Sequence, residues 1–103
     1  MDKVKTVYIG DKDIYTWTMN EGKEIMMPII FESSKQLINE NLEELKCLRV
    51  ESIIRGKSKA FDFFVKRNEI SDTLSKIMDW ALEEEHYEMC NEIKSLENKL
   101  ESF

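Results

Sequence analysis

The chain has 103 residues, 42% hydrophobic and 10% aromatic, with 3 Gly and 1 Pro, a composition that predicts one ordered globular domain and excludes a linker-rich or low-complexity polypeptide. Its formal charge of −6 and pI of about 4.9 argue against broad, nonspecific affinity for nucleic acid. No apolar run reaches the length of a bilayer span and MDKVKTVYIGDKD lacks the apolar core of a signal peptide, so a cytoplasmic protein without membrane contact is expected.

Val4 to Ile9 is a short β-branched and aromatic run stopped by Gly10-Asp11, which reads as a strand. Ile14 to Met19 alternates Tyr15, Trp17 and Met19 against Ile14, Thr16 and Thr18, predicting a half-buried second strand ahead of a turn at 20–23. Ile25 to Phe31, IMMPIIF, is the most continuous apolar stretch. Pro28 cannot donate to a ladder, so an edge strand, a bulge or an extended segment is expected there. Left partly exposed, Met26, Met27 and Phe31 would form an adaptable patch for a partner; the plainer reading is core.

Ser33 and Ser34 are N-cap candidates for a helix through about Lys46, with Leu37, Ile38, Leu42 and Leu45 on one face and Glu40, Glu43 and Glu44 toward water. Cys47 to Ile54 reads as a strand, Arg55-Gly56-Lys57-Ser58 as a turn, and Ala60 to Lys66 as the partner strand. On that second strand Phe61, Phe63 and Val65 share one face and Ala60, Asp62, Phe64 and Lys66 the other, which suggests Phe64 in a second buried layer under the terminal helices.

From Ser71 onward the period becomes helical. Leu74, Ile77, Met78, Ala81 and Leu82 form one stripe, with Ser71 or Asp72 as the cap. Glu83, Glu84 and Glu85 sit badly at a helix C-terminus, so a break near Glu85 to Tyr87 is expected. Met89, Ile93, Leu96, Leu100 and Phe103 then recur at steps of four and three, the seam of a helix that packs lengthwise on another. The expected fold is α+β: a small antiparallel sheet of four or five strands, one inserted helix, and a C-terminal antiparallel helical hairpin. All of it falls in a single domain over 1–103, with the sheet and inserted helix in 1–69 and the acidic hairpin in 70–103.

The stretch Leu82 to Lys94, LEEEHYEMCNEIK, resembles the UVR motif, the helical hairpin known from the C-terminus of UvrB, from UvrC, and from some Clp ATPases and their adaptors. Tyr87-Glu88 matches its aromatic-Glu pair at the turn, Cys90 a small-residue position, and Glu92, Ile93 and Leu100 fit the pattern. Asn91, Lys94-Ser95 and Glu97 depart from it, and the resemblance covers about thirty residues. It implies protein–protein docking and no chemistry.

Charge is segregated. Residues 1–69 hold 12 bases and 12 acids, whereas residues 70–103 hold 3 and 9, so the whole surplus lies on the hairpin. Cys47 and Cys90 lie far apart, outside any CxxC or Cys/His cluster, and read as reduced, packed thiols; His86 reads as a solvated or capping residue. No Gly-rich phosphate loop, nucleophile elbow or metal-ligand spacing occurs, so the chain is read as non-enzymatic, with no catalytic residue, no metal and no cofactor.

Three functions follow, in rank order. The first is an interaction module, adaptor or regulatory, that docks on a protein partner or on a second copy. Its contact residues would be Asp79, Glu83, Glu84, Glu85, Tyr87, Glu88, Met89, Glu92, Ile93, Leu96 and Leu100. The second is an acidic, phage-type inhibitor whose carboxylates stand in for phosphates in a nucleic-acid site of a host protein. The third is direct nucleic-acid contact through Arg55, Lys57 and Lys59 at the hairpin turn, where cations flank aromatic rings.

Overall fold

The structure, a computed structural model, describes residues 4–101. Strand β1 (Lys5–Tyr8) leads into two helices, α1 (Ile14–Met19) and α2 (Lys23–Asn39). A hairpin of β2 (Glu44–Ile54) and β3 (Lys57–Lys66) follows, then α3 (Ile70–Glu83) and α4 (Tyr87–Glu101). The sheet has three strands in the order β1-β2-β3, with β1 parallel to the central β2 and β3 antiparallel to it. The α+β class holds. The expected four- or five-stranded antiparallel sheet does not, because two of its strands are helical and the helical connection returns the chain parallel to where it began.

Local chemistry explains both changes. At 14–19 the Asp13 carboxylate caps a helix, accepting from the Thr16 N–H at 3.0 Å and from its hydroxyl at 3.1 Å. Those contacts, the backbone N–H first and the hydroxyl second, hold the Asp13 carboxyl below its ordinary range, with Lys59 adding attraction. Of the three large residues that alternate there, Trp17 alone is buried, while Tyr15 and Met19 stand exposed. The Trp17 ring lies flat against Gly22, where a Cβ would come within 2.7 Å of ring carbons.

Residues 25–31 form the first half of α2, with Pro28 inside it. Met26, Phe31, Ser34, Leu37 and Ile38 are the residues this helix buries, a helical stripe that crosses the point where the sequence suggested a start. Ser34 is no cap: its hydroxyl donates back to the Ile30 carbonyl at 2.8 Å, in mid-helix. The helix ends at Asn39 rather than near Lys46, through a left-handed Asn41 at φ 54° that lets the Leu42 N–H reach the Leu37 carbonyl at 2.9 Å.

The β2–β3 hairpin turns on Arg55 and Gly56, both at positive φ, the type I′ geometry that matches strand twist. A bulge between Lys46 and Leu48 shifts the register near its base. Helices cover one face of the sheet, burying Leu48, Val50 and Val65 with Leu37, Leu74, Ile77 and Ile93 in one core. The other face carries Tyr8, Arg49, Glu51, Ile53, Asp62 and Phe64. Phe64 is therefore on the open side, 46% exposed, and belongs to no second buried layer.

Arg67 joins the two halves. Its Nε donates to the Leu42 carbonyl at 2.8 Å and its Nη2 to the Leu37 carbonyl at 3.2 Å, at the C-terminus of α2. A cation there meets the negative end of the helix dipole. A 3₁₀ turn at Arg67–Glu69 then starts α3 at Ile70, with Glu69 at the cap position and no side-chain capping bond, so neither Ser71 nor Asp72 caps it. The hairpin of α3 and α4 predicted by periodicity is present, and Lys99 pins it to α2 by donating to Asn39 Oδ1 at 2.6 Å. Phe103 of the predicted seam lies outside the described residues.

Arg67→Ala should lower unfolding free energy by about 3 kcal/mol in urea titrations, since two charge-assisted bonds vanish; Arg67→Lys should recover only part, because an ammonium lacks the planar fork. Gly22→Ala should cost about 2 kcal/mol by forcing the buried Trp17 ring aside, read as a lower urea midpoint at unchanged slope.

Candidate functional site at the acidic end of the helical hairpin

The end of α3 is built against its own electrostatics. Glu83 closes the helix, Glu84 is its C-cap and Glu85 follows in the left-handed region at φ 59°; no basic residue lies in the last turn. The stop is a six-to-one bond from the His86 N–H to the Ala81 carbonyl at 2.8 Å, with the Glu85 N–H donating to Leu82 at 3.2 Å. Glycine normally takes that left-handed position, since a side chain there costs about 1 kcal/mol. By contrast α4 follows the dipole, with Glu88 in its first turn and Lys99 in its last.

Glu83, Glu84, Glu85 and Glu88 are all exposed, and among the described residues none forms an ion pair; the same holds for Asp79. The turn before α2 brings in Glu21, and the first turn of α2 brings in Lys23 and Glu24; these share with Glu83, Glu84 and Trp80 a cleft of about 310 Å³. Glu21 is paired with Lys12 at 2.9 Å. A second groove, of about 520 Å³, runs between α2 and the start of α4, lined by Pro28, Trp80, His86, Tyr87, Glu88 and Glu92 among others. Tyr87 stands 59% exposed at its rim, and the Trp80 and His86 rings lie 5.1 Å apart.

Glu92 differs from the other predicted carboxylates. It binds Lys35 Nζ at 3.2 Å, and Glu32 binds the same ammonium at 3.2 Å. Those two contacts, Glu92 first, raise the Lys35 pKa, and the ammonium sits 5.0 Å over the Phe31 ring.

The predicted seam is occupied by the chain itself. Ile93 and Leu96 are buried in the core with Leu74 and Ile77, and Met89 and Leu100 pack partly buried against it. Arg55, Lys57 and Lys59 are exposed at the hairpin tip. The basic stretch around them is not a free field: Lys46 and Arg49 reach Asp62 at 3.2 and 3.4 Å, Arg49 also reaches Glu51 at 3.2 Å, and Arg67 is committed to carbonyls. Cys47 and Cys90 are both buried and free, and burial pushes the Cys47 thiol up. Among the described residues no group of three or more His, Cys, Asp or Glu side chains is placed to hold a metal ion, and no helix is long and apolar enough to cross a membrane.

Sequence reasoning missed Glu21 and Glu24, since nothing in a linear pattern brings the α1–α2 turn to the end of α3. Compared with known proteins, the chain matches no family model, no curated protein and no solved structure.

Replacing Glu85 by Gly should raise stability by about 1 kcal/mol, through relief of the left-handed side chain, and appear as a higher thermal midpoint in circular dichroism.

Proposed function

We propose that this chain works by recognition and not by chemistry: it is a small interaction protein that presents the turn end of its helical hairpin to a basic surface on a protein partner. One observation carries the reading. Unpaired carboxylates are massed at a helix C-terminus where the dipole opposes them and where Glu85 adopts a conformation that favours glycine. Features that lower stability without local compensation are retained where function needs them.

The contact set is the exposed and unpaired part of the residues named from sequence: Asp79, Glu83, Glu84, Glu85 and Glu88, with Tyr87 as an aromatic anchor at their edge and Glu92 set aside by its pairing with Lys35. Adaptor-type docking is also what the UVR resemblance at Tyr87-Glu88 implies. A narrower version of the same reading makes the partner surface a nucleic-acid site, with the carboxylates replacing phosphates. Direct contact through Arg55, Lys57 and Lys59 has less support, because the neighbouring cations are neutralised on the sheet face.

The test is a triple variant, Glu83→Lys, Glu84→Lys and Glu88→Lys, compared with wild type in cross-linking pull-downs from the source cell. The variant should stay folded, since cations at the end of α3 are favourable and offset the loss of Glu88 from the first turn of α4, and yet lose the partner. Complexes that form equally well with the triple variant, or that ignore added salt, would sink the reading. Displacement of wild type by DNA would select the narrower version.

A further inference from the structure

The longest open edge of the sheet belongs to β3, and hydrogen-bond parity tells which of its groups are left outside. Ile9 N–H donates to the Glu51 carbonyl at 3.0 Å and Ile53 N–H to the Gly10 carbonyl at 2.7 Å, so the odd-numbered residues of β2 in this region turn their backbone toward β1. Val50, Ser52 and Ile54 therefore turn theirs toward β3, onto register partners Phe61, Lys59 and Lys57. The N–H and C=O groups of Ser58, Ala60, Asp62 and Phe64 consequently point away from the sheet. Such an edge is a template for another strand.

Proteins usually defend a free edge with charge. On β3 the lysines, Lys57, Lys59 and Lys66, lie toward the strand ends, and the one central charge, Asp62, is turned to Lys46 and Arg49 of the neighbouring strand. What remains in the middle is apolar: Phe61 is 55% exposed. On the helix-bearing face the Phe61 and Phe63 rings lie 4.8 Å apart and open on a hollow of about 370 Å³, completed by Ile14, Tyr15 and Thr18 of α1 and bordered by Lys59 and Ala60 of β3 itself. Tyr15 is 74% exposed there.

An open backbone edge is satisfied by a strand, and an aromatic hollow beside it by apolar rings; β3 itself offers both. We propose that β3 pairs antiparallel with β3 of a second copy of this chain, fusing two sheets across a two-fold axis through Phe61. On that axis Ala60 meets Asp62 and Ser58 meets Phe64, so the four outward-facing residues exchange ladder bonds. Phe61 faces its own copy in the closer, non-hydrogen-bonded position, where side-chain contact is strongest. Lys59 falls opposite Phe63 and Lys57 opposite Val65, so no like charges confront each other. Moving the axis to Asp62 would set two carboxylates face to face. This interface does not involve the acidic end, and neither proposal needs the other.

Sedimentation across a wide concentration range provides the test. Wild type should approach twice the 12.3 kDa monomer mass, and the triple lysine variant at Glu83, Glu84 and Glu88 should do the same. Ala60→Pro removes an outward N–H without touching the β2–β3 ladder, and Phe61→Lys sets like charges on the axis; each should weaken dimerisation at least roughly tenfold. If Ala60→Pro unfolds, Phe61→Lys and a cysteine pair decide: Phe61→Cys should oxidise to a covalent dimer and Ser58→Cys should not. A wild type that stays monomeric to its solubility limit, a dimer indifferent to Phe61→Lys, or cross-linking at Ser58→Cys instead would overturn the proposal.

Discussion

The contact on which the architecture turns is the Arg67 guanidinium, lodged among the carbonyls that end α2. A helix leaves its last carbonyls without intrahelical donors, and a strand leaving a sheet has no reason of its own to stop beside them. Arg67 supplies both needs. Its backbone N–H completes the β2 side at the Glu43 carbonyl, 2.9 Å away, while its side chain reaches Leu37 and Leu42. The first residue after β3 thus fixes where α2 ends, where β2 begins and from what point α3 departs. Lys99 of α4 ties down the same end of α2 by a different contact, donating to the side-chain oxygen of Asn39.

Much of this was readable in the residues, and the failures have specific physical origins. The β2–β3 hairpin and the α3–α4 pair are consecutive in the chain; the period of two is regular in β2 beyond its bulge at Lys46–Leu48, and the helical period runs through both α3 and α4. Six residues at 14–19 make less than two helical turns, too few for a helical period to outweigh the alternation of Tyr15, Trp17 and Met19. Pro28 pointed away from a ladder without saying that the segment was helical. Ser33-Ser34 resembled a cap because serine caps helices more often than it bonds back within them.

The acidic site divides in the same way. Carboxylates go to the surface whatever the fold, so Glu83, Glu84, Glu85 and Glu88 were accessible to composition and spacing alone. The seam of Ile93 and Leu96 was recognisable as buried, but periodicity is silent on what buries it, and here the answer is α2 and α3 of the same chain. The contribution of Glu21 and Glu24 depends on the α1–α2 turn meeting the end of α3, a contact that exists only once the sheet has placed both.

The brevity of β1 acquires a meaning beside the length of β3. β1 pairs through four residues, Lys5 to Tyr8, against ten in β3. A sheet enlarged through β3 would be bounded on either flank by this stub, which offers an incoming chain too little ladder to hold it. Growth that starts at the long margin would thereby be used up at the first encounter, and such a topology would keep the molecule from running on into a fibre.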